Sequence, residues 1–383
     1  MKLSFQNFKH VTLKEVKPIL KKLVSIPSVS GNEHEIAEYV EKYLSKLGFQ
    51  IEKIQMFGCG PTILACYEFK PDGLNLLFYG HLDTVKPSLG WKYPPFKPTV
   101  VDGFLYGLGA CDMKGGVSAI LTAVEKLVRS KLTGRLTVAL TSDEESYSRG
   151  CDGLIRSRKL KNVDAAVSAE PTGLTRMEIG RVGRIVYEVT FQGMARHVSA
   201  LDGGVNVLVD ASKFVLGLNR SRFGRKKLSV LTMNGGTEFL SVPDSCKLLV
   251  DGKLGLGESE KTILDWMFKL AHKLNLKSSF KVKIFKRPTP YMKPYLLSER
   301  EKIVKVVEQA CLIVKGIKPR KVVGFSVGDE NYLVVRAKIP TVTIGPEGGN
   351  EHGPNEYVKL NSVVDAANIY VATALIFLGN SKI

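Results

Sequence analysis

The chain has 383 residues, 44% hydrophobic and 24% charged, with 55 Lys and Arg against 37 Asp and Glu, a formal net charge of +18. That length exceeds one small core and suits two domains, and the composition excludes a disordered or fibrous chain. The positive balance suits either a basic, well-solvated surface or an anionic substrate or acidic partner, whereas Lys and Arg are scattered, with only short clusters such as Arg220 to Lys227 and no nucleic-acid motif, so nucleic acid is not the expected partner.

The charged, amphipathic start, Met1 to Lys22, has no uninterrupted apolar run, so no signal peptide is expected. No segment has the roughly 18 consecutive apolar residues of a membrane span. Six cysteines are dispersed without a C-x-x-C pair, which points to a reducing, cytoplasmic setting rather than a disulfide framework.

Taken in order, Leu13 to Val24 has helical spacing of Val16, Ile19, Leu20 and Leu23, broken by Ile26-Pro27. Glu33 to Leu47 is a second amphipathic helix, closed by Gly48. Thr62 to Tyr67 and Leu74 to Tyr79 read as strands, the second apolar enough to be central. Gly115 to Leu127 is a helix, and Arg135 to Thr141 and Asp164 to Ser168 are buried strands. The alternation argues an α/β layer with polar residues at the strand C-terminal ends, where open α/β sheets place ligands.

The rhythm changes near Gly180. Strand Arg184 to Phe191, helix Val205 to Leu218, strands Leu228 to Asn234 and Cys246 to Leu254, helix Glu258 to Leu274 and strand Ser279 to Phe285 follow the ferredoxin-like order. Pro288, Pro290 and Pro294 mark the return to helix Glu299 to Val314, strands Lys321 to Gly324 and Thr341 to Ile344, and a closing helix Leu360 to Leu378. Residues 1–180 and 288–383 thus read as one domain, and 181–287 as a second inserted into it.

The polar residues at these strand ends fit a two-metal hydrolase, which needs borderline ligands, a bridging carboxylate and a free carboxylate base. His81 follows an apolar strand, and Asp83, two residues on, is placed to hydrogen-bond its far nitrogen and fix its tautomer. Asp112 suits the bridge, and adjacent Glu144 and Glu145 can point apart as one ligand and one base. Glu170 and His352 supply outer ligands. The glycines around Asp112 do not make a phosphate loop, because Lys114-Gly115 is in the wrong order and no Ser or Thr follows.

Five motifs, Gly80-His-Leu-Asp-Thr-Val85, Gly107-Leu-Gly-Ala-Cys-Asp-Met-Lys-Gly-Gly116, Thr141-Ser-Asp-Glu-Glu-Ser146, Glu170-Pro171 and His352-Gly-Pro-Asn-Glu356, resemble in order the M20 metallopeptidase family. That family includes acetylornithine deacetylase, succinyl-diaminopimelate desuccinylase, aminoacylases and carboxypeptidase G2-like enzymes. The resemblance implies a mixed-sheet α/β zinc-peptidase catalytic domain with an inserted ferredoxin-like lid and dimerisation domain. It implies two Zn2+ per subunit, with Co2+ able to substitute: His81, Asp112 and Glu170 on one ion, Asp112, Glu145 and His352 on the other. It also implies a cis peptide at Asp112-Met113, Glu144 as general base, Asp83 behind His81, and Glu356 behind His352. His197, in Gly193-Met-Ala-Arg-His197, would stabilise the oxyanion in the partner subunit of a homodimer. Glutamate rather than aspartate at position 170 leans toward deacylases and carboxypeptidases.

Two departures bear on the substrate. Leu240-Ser-Val-Pro-Asp244 replaces the family's Asn-Val-Ile-Pro-Asp, and Asp251-Gly-Lys253 replaces Asp-x-Arg. Lys253 keeps the charge without the bidentate fork, and Arg181 or Arg184 could take over carboxylate recognition. The expected reaction is release of an amino acid from a small N-acyl amino acid in arginine or lysine biosynthesis, or from an acidic amino-group carrier protein. A broad-specificity dipeptidase or carboxypeptidase is the alternative.

Overall fold

A computed structural model describes residues 10–200 and 203–379, and the side chains of these except at positions 225 and 226. The expected charged start therefore lies, for residues 1–9, outside the described residues. The chain packs as two units, one formed by the chain up to Arg181 and from Leu296 onward, the other by Val182–Tyr295. The return falls at Leu296 rather than at Pro288. The Pro-rich stretch stays with the second unit, where the Arg184 amide donates to the Met292 carbonyl at 2.9 Å and the Tyr291 hydroxyl to the Phe285 carbonyl at 2.8 Å.

The first unit opens with helices α1 (Leu13–Ser25) and α2 (His34–Lys46), then strands β1 (Gln50–Ile54), β2 (Thr62–Glu68) and β3 (Lys70–His81). Short strands β4 (Thr99–Val101) and β5 (Phe104–Tyr106) precede a single π turn, Ala110–Lys114, and helix α3 (Gly115–Leu127). Strand β6 (Thr133–Thr141), helix α4 (Arg149–Arg156) and strands β7 (Ala165–Ser168) and β8 (Arg176–Arg181) complete the first pass. The second unit holds β9 (Gly183–Gln192), α5 (Val207–Arg220), α6 (Arg222–Lys227), β10 (Leu228–Gly235), β11 (Ser245–Leu254), α7 (Glu260–Lys273) and β12 (Ser279–Ile284). After β13 (Tyr295–Leu296) come α8 (Lys302–Lys315), β14 (Arg320–Gly324), α9 (Asp329–Val335), β15 (Thr341–Thr343), β16 (Gly348–Gly349), β17 (Tyr357–Lys359) and α10 (Leu360–Phe377).

The main sheet runs β1-β2-β6-β3-β7-β15-β8-β13, with β14 pairing β8. Its centre is parallel, β3 lying between β6 and β7, while β1, β2 and β6 pair antiparallel. Central β3 buries Leu76, Leu77 and Phe78 completely, as expected of a strand covered on both faces. Helix α3 is buried almost all round by Val117, Ile120, Leu121 and Val124, which join one core with α1, α8 and α10. Each such side chain contributes about 1.5–3 kcal/mol relative to exposure, so the sheet centre is fixed by burial and the strand ends inherit that rigidity. Helix α10 is long and apolar enough to cross a bilayer, but most of its length is packed inside this core, as in the core helix of a globular unit.

The second unit has the strand order β10-β11-β9-β12, all antiparallel, with a separate core of Tyr187, Val189, Phe191, Leu248, Val250, Phe214 and Met267. This is the ferredoxin-like arrangement. Helix α5 starts at Val207 and not at Val205. Val205 is engaged in a two-way bridge with Met194, at 3.0 and 3.3 Å, and the Asn206 side chain caps the helix through the Leu208 amide at 3.0 Å. Strand β8 and helices α4 and α9 are six, eight and seven residues long, too short for a firm period, and are absent from the sequence-based reading.

Candidate metal centre

The parallel strands of the first unit deliver their polar residues to one end of the sheet. His81 is the last residue of β3, Glu144 and Glu145 follow β6, and Glu170 follows β7. Asp112 lies in the π turn before α3, and its peptide bond to Met113 is cis. His352, in the loop between β16 and β17, has a left-handed backbone, φ 61°.

These six residues include two groups of three that could hold a metal ion, sharing Asp112. The ligand atoms of His81, Asp112 and Glu170 all lie within 4.8 Å of one another, as do those of Asp112, Glu145 and His352. His81 Nε2 is 3.0 Å from Asp112 Oδ1 and 3.5 Å from Glu170 Oε1; His352 Nε2 is 2.9 Å from Glu145 Oε1 and 3.3 Å from Asp112 Oδ2. Two ligands each about 2 Å from a tetrahedral ion lie about 3.3 Å apart, so both triads have the spacing a small divalent ion requires. The donor set, two imidazoles and three carboxylates, is borderline to hard and fits zinc or cobalt better than a thiol-seeking ion.

Electrostatics point the same way. Burial lifts the carboxyl of Glu170 well above its usual range, and neighbouring Asp112 adds to the rise. Burial likewise raises Glu144 strongly and Glu145 less so. Burial opposes charge on His81 too, but the carboxylates of Asp112 and Asp83 outweigh it and drive its pKa well up. His352 is pushed up to about 10 by hydrogen bonds to Asp112 and Glu145. Asp112, desolvated yet held between both imidazoles, is lowered.

The supporting carboxylates differ from expectation in what they hold. His81 Nδ1 lies 3.0 Å from the backbone carbonyl of Asp83 and 3.6 Å from its carboxylate, so the carbonyl fixes the tautomer. The Asp83 carboxylate instead accepts from Ser30 Oγ at 2.7 Å and from the amides of Glu144 and Glu145 at 3.0 and 3.1 Å. Glu356 does not stand behind His352: it takes the amides of Gly109, Cys111 and Asp112 at 2.8, 2.8 and 2.9 Å. It fixes the turn carrying Asp112.

Two buried carboxylates complete this scaffold: Asp329, in the Ser326 to Asp329 stretch that the sequence reads as shaping the pocket, and Glu33, which it reads only as the start of a helix. Asp329 Oδ2 receives the hydroxyls of Tyr79 at 2.6 Å and Thr141 at 3.1 Å, tying together the ends of β3 and β6. Glu33 is fully buried. Neither carries a motif, and only a charged residue amid small and Gly-rich neighbours hints at burial.

The substrate and oxyanion candidates lie apart from these ligands in the chain. Arg181, in the first unit, is buried, with Nε 3.0 Å from Glu178 and Nη1 3.5 Å from Glu330. Arg184 pairs with Asp251 at 2.6 Å, so both arginines already meet carboxylates of the chain. Lys253 is exposed on β11, directly across from Arg184 on β9. His197 is exposed in the second unit, its Nδ1 2.7 Å from Ser199 Oγ.

Residues 77–376 match the family described as Peptidase family M20/M25/M40. A succinyl-diaminopimelate desuccinylase from Wolinella succinogenes is 29% identical over 360 residues, covering 90% of this chain and 95% of that protein. Among solved structures, a tripeptidase from Staphylococcus aureus superposes with a TM-score of 0.83 at 20% identity, covering 97% of this chain and all of that one. A dinuclear metal-binding peptidase from Bacillus subtilis has a TM-score of 0.73 at 16% identity, covering 96% and 99%.

Proposed function

Since the chain belongs to peptidase family M20/M25/M40 and is a metal-dependent hydrolase of amide bonds, we propose that it uses two divalent ions, zinc or cobalt, to release an amino acid from an N-acyl amino acid. The observation that carries this reading is Asp112, which offers Oδ1 to His81 and Oδ2 to His352. Asp112 would bridge, with His81 and Glu170 completing one ion site and Glu145 and His352 the other. Bound ions would polarise the scissile carbonyl and acidify the attacking water. Glu144, whose carboxyl burial holds high, accepts the proton of that water and passes it to the departing amine. Asp83 keeps the Glu144 and Glu145 backbones in register while this happens.

Relatives named succinyl-diaminopimelate desuccinylase support a succinylated diamino acid as substrate class, on the lysine rather than the arginine side. In a homodimer, His197 would serve the oxyanion of the partner's site, and Lys253 would meet the substrate carboxylate. The test is a panel of N-succinyl and N-acetyl amino acids and dipeptides, assayed with added Zn2+ or Co2+. Preference for succinylated diamino acids is expected; preference for dipeptides overturns the deacylase assignment.

A further inference from the structure

We propose that Glu33 is a positioning residue for the general base, acting through the backbone of the turn that carries Glu144; this rests on the two-metal hydrolase reading. Glu33 is fully buried, and its carboxylate accepts from three backbone donors. Oε1 accepts from the amides of Gly31 at 2.9 Å and Asp143 at 3.1 Å, and Oε2 from that of Gly60 at 2.7 Å. The next two amides along the turn, those of Glu144 and Glu145, go to Asp83. Three consecutive N–H groups are thus held by two buried carboxylates.

The turn needs such holding. Asp143 has a left-handed backbone, φ 65°, a conformation that persists in a non-glycine residue only where its surroundings enforce it. The Asp143 side chain is turned away to Arg149, accepting from its amide at 3.1 Å and from Nη1 at 3.0 Å. The Glu144 carboxyl accepts no hydrogen bond among the described residues, so its direction is set by its backbone. Gly60 is shaped to this contact. A Cβ there would lie 2.8 Å from Glu33 Cβ and 2.9 Å from its carbonyl carbon, and the Gly60 carbonyl accepts from Ser142 Oγ at 2.6 Å. Glu33 thereby links the loop after α1, the loop before β2 and the base-bearing turn.

A carboxylate is required because all three partners are donors. Glu33→Gln keeps shape and volume but sets an NH2 against an N–H, loosening the turn without opening a cavity. In the metal-loaded full chain, Glu33→Gln is expected to lower kcat about 10- to 100-fold with KM within about threefold, as for a misplaced catalytic group. Two metal equivalents should be retained. Hydrogen exchange should quicken at the amides of residues 143–145 while β3 and α3 keep wild-type protection. Gly60→Ala, pressing on Glu33 from the other side, should give the same pattern; it keeps the test open should Glu33→Gln fail to fold. Unchanged kcat in folded Glu33→Gln overturns the proposal, as does faster exchange spread evenly over the first unit, or a loss confined to metal affinity. If the wild-type chain hydrolyses none of the substrate panel, the hydrolase reading fails on its own, and unchanged exchange at residues 143–145 still sinks the role given to Glu33.

Discussion

Asp83 holds Glu144 by its backbone and not by its side chain: Asp83 Oδ1 accepts from the Glu144 amide at 3.0 Å. A base clamped through its own carboxylate would lose proton affinity, whereas one anchored through the amide keeps its carboxyl available. Glu144→Gln should therefore cut kcat by about 10²- to 10⁴-fold, the range for loss of a general base. The ligand triads are untouched, so two equivalents of Co2+ should still titrate by visible absorption. Wild-type turnover in this variant would remove Glu144 from the mechanism.

Metal stoichiometry tests the bridging role proposed for Asp112 against the outer roles proposed for the other candidates. Asp112 belongs to both triads, while His352 belongs to one. His352→Ala should leave about one ion per chain after dialysis and Asp112→Ala almost none, since a bridging ligand serves both ions. Elemental analysis decides this, and equal losses in the two variants would contradict the shared role of Asp112.

The sheet order was legible where burial dictates it. Leu76, Leu77 and Phe78 announce a central strand, and the ligands follow because parallel strands place polar residues at one edge. The backbone clasps were not legible. Asp83 to Glu144, Glu356 to Asp112 and Glu33 to Asp143 are contacts to amides, which every residue but proline carries, so no residue type marks the partner. Strand β8 was missed for a different reason: only Arg176 to Ile179 alternate before Gly180 and Arg181 end the pattern, and the buried Arg181 is met by Glu178 and the distant Glu330.

The imidazoles set a pH dependence whose sign follows from their raised pKa values. His352 rises from the ordinary 6.5 to about 10 through Asp112 and Glu145. In the metal-free chain its contribution to stability is complete below about pH 6.5 and is lost as pH climbs toward 10. Metal binding runs the opposite way, because an ion must displace that proton. Across this window the metal-free melting temperature should fall while metal affinity rises, with protons released on titration in a weakly buffered calorimeter. Affinity independent of pH between 6.5 and 9 would mean that Asp112 and Glu145 do not hold a proton on His352 through this window.

Gly116 tests how tightly α3 seats the Glu170 strand. A Cβ at this position would lie 2.1 Å from the Ala169 carbonyl oxygen and 2.8 Å from Ala169 Cβ. Helix propensity favours Ala over Gly by about 1 kcal/mol, and overpacking costs about 1–3 kcal/mol. Neighbouring backbone cannot yield cheaply, because the Ala169 amide is bonded to the Tyr79 carbonyl at 3.1 Å. The overlap should win, so Gly116→Ala is expected to lower the melting temperature and, by shifting Glu170, to weaken one of the two metal sites selectively. A raised melting temperature with both ions retained would show that the helix can slide, and that the spacing between α3 and β7 does not set the metal geometry.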